Sequence, residues 1–306
     1  MLKATYLETT DVANFVTWFR GVISGTNAIN FQYKSDPAQK WTHLRDVLPY
    51  YSWPRNINRG PSHVEKLLNF PENAHFCLLG GSNLETNDEV LSRLSSGLQA
   101  AFENGADLTP WVAAIFIWGG VYSETKLGDG NKGWLRAHTH EIFDILVNTS
   151  AALQTGDDDL SIFRNLRFNA GMTKVYSLLL KDFVIYDSRV AAALAWLVLL
   201  WQISSRPGSQ LHPELSFQCL KAKEYKSKKN PKHPKLRNPD SFQFSNLAAN
   251  PYAHAKWNLR ANWILTAAFP AIAGGTNHFP TLRHVEAALF TMGYDLKHAV
   301  PCNNSF

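Results

Sequence analysis

The sequence predicts a mostly α-helical fold, and three observations carry that expectation. Apolar residues recur at helical spacing in segment after segment, beginning with Val12, Phe15, Val16, Phe19, Val22 and Ile23. Helix punctuation recurs with them: Thr109-Pro110 opens a run that Gly119-Gly120 closes, and Asn250-Pro251 opens another. Only short stretches, such as Ala28 to Tyr33, read as strands. With 306 residues, 45% of them apolar and ten of them tryptophan, the chain can bury a full core as one large domain or as two lobes.

Taken in order, Thr10 and Asp11 are the cap candidates of the first long helix, and Gly25 ends it. Trp41 to Leu48 reads as a helical turn or two. The stretch Pro49-Tyr50-Tyr51-Ser52-Trp53-Pro54 is aromatic and carries two prolines, so a loop is expected there. Tyr50, Tyr51 and Trp53 are candidates for stacking on bases or wedging into a duplex, and the competing reading packs them on the core. Gly80-Gly81 lacks the lysine and hydroxyl residue of a phosphate loop.

Val90, Leu91, Leu94, Leu98, Ala101 and Phe102 define a helix that Gly105 closes, and the capped run from Trp111 to Trp118 follows. Ser123 to Gly133 reads as a loop, Trp134 to Leu153 as one helix, and Asp157-Asp158-Asp159 as an acidic helix start. Residues two apart on a helix point away from each other, so His138 and His140 do not form a chelating pair, and no metal is expected. The last helices run from Pro251 to Phe269 and from Pro280-Thr281 through Met292.

The central stretch is Asn169 to Ser204. Met172, Val175, Tyr176, Leu178 and Leu179 fall at helical spacing, and Phe183-Val184-Ile185-Tyr186 suits an extended connector. Asp187 then stands immediately before a run without charge from Val190 to Ser205, the place of an N-cap. Sixteen residues are fewer than the roughly 20 of a bilayer span, so a buried core helix is expected and no membrane association. Together these segments form a helix-turn-helix pair.

A turn ending in Gly171, the run Thr173-Lys174-Val175 opening a helix, and Val184-Ile185-Tyr186-Asp187-Ser188-Arg189-Val190 together resemble the helix-hairpin-helix DNA glycosylase superfamily, in particular its 8-oxoguanine glycosylase-like members. The resemblance covers residues 169–204, and the hairpin keeps Gly171 alone of the two glycines usual there. It implies two helical lobes, a central helix-hairpin-helix and a cleft, within a glycosylase-like domain spanning residues 1–306. By position it makes Asp187 the catalytic carboxylate and Lys174 the lysine that, where present, attacks the sugar. Gly171 and Thr173 become DNA-binding residues of the hairpin. The expected activity is that of a DNA N-glycosylase acting on a flipped damaged or modified base, with base excision in defence against phage carrying modified DNA as a setting and strand-nicking lyase activity as an extension. The alternatives are a catalytically silent DNA-binding protein of the same fold and a helical protein-interaction module.

Charge points the same way. Residues 221–239 read as a basic insertion loop: Lys221, Lys223, Lys226, Lys228, Lys229, Lys232, Lys235 and Arg237 against the single acid Glu224 give a local +7, while the whole chain carries +5, leaving −2 elsewhere. Such a patch suits a polyanion, and DNA is the expected partner. Cys77, Cys219 and Cys302 are too few and too scattered for a disulfide framework, a zinc site or a four-cysteine iron–sulfur loop, so no cofactor is expected. Residues 1–20 have no signal-peptide pattern, and a cytoplasmic monomer is expected.

Overall fold

Helical periodicity and caps translate directly into structure. The computed structural model describes residues 1–33, 38–53, 83–124, 130–161, 166–220, 239, 244–247, 250–269 and 279–296, and the chain is mostly α-helical. The helices are α1 (Lys3–Glu8), α2 (Thr10–Ser24), α3 (Leu84–Glu103), α4 (Thr109–Trp118), α5 (Asn131–Ala137), α6 (Ile142–Gln154), α7 (Met172–Leu179), α8 (Ser188–Ser205), α9 (Pro251–Ala268) and α10 (Leu282–Met292). A two-residue antiparallel pair, β1 (Phe31–Gln32) with β2 (Lys40–Trp41), sets Phe31 opposite Trp41. The chain divides into two compact units, one of residues 1–51, 156–159 and 186–306, the other of 52–155 and 160–185.

In the first unit α8 packs on α10 and α2, and α9 packs on α2 and α1. The core side of α8 is Val190 to Val198 without interruption, followed by Trp201 and Gln202. By length and composition this helix is apolar enough to cross a membrane, and 61% of it is buried inside the protein. Burying large side chains such as Trp196, Leu194 and Leu197 contributes on the order of 2 kcal/mol each. At the C-terminal end of α10, Gly293 lies so close to α8 that a β-carbon would stand 2.0 Å from the Arg189 carbonyl oxygen. Only glycine permits that approach.

In the second unit α4 is the hub, with all ten of its residues buried and α3, α5 and α7 packed against it. Asn83 caps α3 by accepting from the Thr86 N–H, and Gly105, with φ of +64°, turns the chain after its end. Thr109 is the first residue of α4 and Leu108 its N-cap, without a side-chain capping bond; the Asp107 carboxylate accepts from the Thr109 N–H.

Several expectations are corrected. Trp41 belongs to β2, and a 3-10 helix from Leu44 to Tyr50 contains Pro49 in its last turn, where the expected loop begins. Helix α5 begins at Asn131, inside the expected loop. The single helix expected from Trp134 to Leu153 is broken into α5 and α6, since the Thr139 hydroxyl donates to the carbonyls of Leu135 and Arg136 and His138 Nδ1 donates to that of Trp134. The segment expected to form a helix after the acidic run lies partly outside the described residues, and the Asp158 carboxylate is buried, with Oδ2 2.6 Å from Arg260 Nε and Oδ1 2.8 Å from the Met1 amine. Arg260 also pairs with Glu214 and lies over the rings of Tyr6 and Trp257. The glycine pair 80–81 and the basic segment 221–237 lie outside the described residues.

Candidate functional site

Asp187 is where the sequence places it, at the N-cap of α8, with extended backbone and a half-buried side chain. Its Oδ1 accepts from the Arg189 N–H at 2.8 Å and from the Val190 N–H at 3.1 Å. Both capping bonds therefore fall on one oxygen. Its carbonyl accepts from the Ala191 N–H at 2.9 Å, the first regular bond of the helix. The preceding residue, Tyr186, is fully buried; its hydroxyl donates to the Gln218 carbonyl at 3.0 Å, and burial pushes its ionisation well above the ordinary tyrosine range.

Around this start of α8 the first unit gathers cations and aromatic rings. The Arg189 guanidinium lies 4.2 Å above the centroid of Phe290 and 4.8 Å above that of Tyr294. Such stacking holds a guanidinium flat while leaving its charge in place. Tyr51 packs against Phe290 at 5.8 Å, and its hydroxyl accepts from Arg283 at 3.3 Å. Tyr51 is thus a buried member of this cluster. Tyr50 is 52% exposed, with its ring edge against Trp41.

Trp53 and the hairpin candidates belong to the second unit. Trp53 is buried and stacked on Trp118 at 4.4 Å with the planes nearly parallel, and its indole N–H donates to the Trp118 carbonyl. Of the three aromatic candidates, Tyr50 alone has the exposure that stacking on a base requires. In the hairpin, Asn169 does the work of a cap: its Oδ1 accepts from the N–H groups of Gly171 and Met172 at 2.8 and 3.0 Å. Thr173 is 0% exposed and its N–H donates to the Asn169 carbonyl. Those backbone donors are therefore turned inward. Gly171 has an ordinary helical φ of −81°, and its role is space, because a β-carbon there would stand 2.4 Å from the Asn131 amide nitrogen. Asn131 in turn ties the hairpin together, its Oδ1 accepting from Asn169 and Arg167.

Lys174 is 2% exposed, its stem crossing Gly119 and its Nζ donating to the Ala170 carbonyl at 2.8 Å. The chain passes from the second unit to the first between Ile185 and Tyr186, so Lys174 and Asp187 are held by different units. Among the described residues, no three His, Cys, Asp or Glu side chains are grouped to hold a metal ion. Sequence reasoning missed the stacking of Arg189 on Phe290 and Tyr294, and the bond from His254 to the Tyr186 carbonyl. Only the position of Arg189, two residues after the cap, was a signal within reach.

Comparison of the chain with family models, with curated proteins and with solved structures finds no match.

Proposed function

We propose that this protein is a DNA N-glycosylase in which Asp187 stabilises the sugar cation that develops as a base leaves. The observation that supports this most is the division of labour within one carboxylate. Oδ1 is fixed by two backbone N–H groups, and Oδ2 takes no protein hydrogen bond among the described residues. A carboxylate held this way keeps a defined orientation and still has an oxygen for a reacting centre. Departure of the base breaks the C1′–N bond with the electron pair leaving on the base. Water adds to C1′, and its proton passes to solvent or to the departing base; Oδ2 orients or receives it.

The stacked Arg189 supplies a positive charge two residues from Asp187, suited to a backbone phosphate, and the basic segment from Lys221 to Arg237 supplies the bulk of the attraction for DNA. The burial of Lys174 and its bond to Ala170 favour water over lysine as the nucleophile. An amine that must leave a buried bond before reacting serves better as a strut.

The test is base release from duplex oligonucleotides bearing oxidised, alkylated, deaminated, hydroxymethylated or glucosylated bases. Release of at least one, reduced by a factor on the order of 10² or more in Asp187→Asn, is the expected result. Lys174→Ala should still release base and leave strands intact; loss of release together with loss of borohydride trapping would instead make the lysine the nucleophile. Wild-type protein inert on the whole panel, or Asp187→Asn as fast as wild type, would leave Asp187 as a cap and nothing more.

A further inference from the structure

Asp187 sits between two peptide planes, and the fold fixes both. The plane on its C-terminal side is fixed by the Ala191 N–H bond to the Asp187 carbonyl, which any helix provides. The plane on its N-terminal side carries the Tyr186 carbonyl, which lies before the helix. His254, in the first turn of α9 and 5% exposed, reaches it: Nε2 stands 3.1 Å from the Tyr186 oxygen. A carbonyl can only accept, so the Nε2 tautomer carries the proton. The imidazole meets the Tyr186 ring edge-on at 6.0 Å, and Asn250 anchors the start of α9 by accepting from the N–H groups of Tyr252 and Ala253.

We infer that His254 is a positioning residue for Asp187, acting through the Tyr186 carbonyl. Because a peptide unit is planar, holding the Tyr186 oxygen also holds the Asp187 nitrogen and limits the direction in which its side chain leaves the backbone. The Oδ1 bonds to Arg189 and Val190 then form without a search, and Oδ2 is presented in one direction. A buried histidine whose only task was to fill space would be replaceable by an apolar side chain of similar size. A positioning histidine is replaceable by another donor that reaches the same oxygen.

The experiment compares His254→Leu with His254→Gln, whose amide can donate over a similar reach. Amide hydrogen exchange of the intact protein is read at Arg189 and Val190, the two N–H groups that Asp187 caps. His254→Leu should speed both by about fivefold or more, the scale of one net hydrogen bond, and His254→Gln should restore them to within about twofold of wild type. Exchange from Leu194 to Val198 should stay unchanged in both. If the leucine variant does not fold, His254→Phe, which keeps a ring without a donor, takes its place. Unchanged protection in the variant without a donor, or equal loss in leucine and glutamine variants, overturns the inference.

A second arm rests on the glycosylase reading. On a base that the wild type releases, kcat should fall about tenfold in His254→Leu with KM within about twofold, and recover in His254→Gln. A raised KM with unchanged kcat would place His254 in binding and overturn its positioning role. If the wild type releases no base, the glycosylase reading fails, and the exchange result alone decides the role of His254.

Discussion

Asp158 and Asp187 stand in similar sequence settings, each shortly before an apolar run, and the fold puts them to different uses. Asp158 is buried between Arg260 and the Met1 amine, with Lys256 at 4.0 Å, so each of its oxygens faces a cation. Asp187 is half-buried, and both of its bonds go to backbone N–H groups through one oxygen. The first carboxylate is consumed by structure, and the second is anchored but not exhausted. What separates a structural aspartate from a candidate catalyst is therefore the remaining capacity of its oxygens, which is set by partners far away in the sequence.

That contrast can be broken directly. Asp158→Asn should be the most damaging single change, costing about 3–5 kcal/mol, because it leaves the buried Arg260 guanidinium undercompensated. Asp187→Asn should cost less than about 1 kcal/mol, since asparagine caps a helix about as well as aspartate. Urea unfolding of the two variants side by side measures the gap, and equal losses would mean that the two carboxylates are equally structural. Pairing Asp158→Leu with Arg260→Met should recover much of the stability lost in Asp158→Asn, by removing both charges together.

A smaller effect is expected from the basic segment. Replacing Lys228, Lys229 and Lys232 by glutamate should weaken DNA binding on every sequence and flatten the dependence of log K on log salt by roughly three. Anisotropy titrations at several salt concentrations read this out, and an unchanged slope removes the segment from the interface. The effect on folding should be negligible, in contrast to Asp158→Asn.

The smallest effect concerns Cys219, whose thiol donates weakly to the Ala191 carbonyl of α8 and whose ionisation burial pushes far above the usual thiol range. In a Cys77→Ser, Cys302→Ser background, Cys219 should not react with Ellman's reagent at pH 8 until denaturant unfolds the first unit. Fast reaction of the folded protein would mean that the floor of α8 opens readily.

The sequence by itself determined what is local. The mostly helical fold, the Asp187 cap, the Asn250-Pro251 start of α9 and the glycine turns after α2 and α3 were all legible, because a cap or a left-handed turn is decided by residues within one helical turn of each other. Tertiary structure decided the rest. Tyr51 and Trp53 belong to the same aromatic stretch, yet one packs on Phe290 and the other on Trp118, and nothing in their local pattern distinguishes them. The ion pair of Asp158 with Arg260 spans 102 positions, and the bond from His254 to Tyr186 spans 68. Such partners are chosen by packing, which brings together side chains whose separation along the chain carries no periodic signal, and it is packing that leaves Oδ2 of Asp187 without a protein hydrogen bond among the described residues.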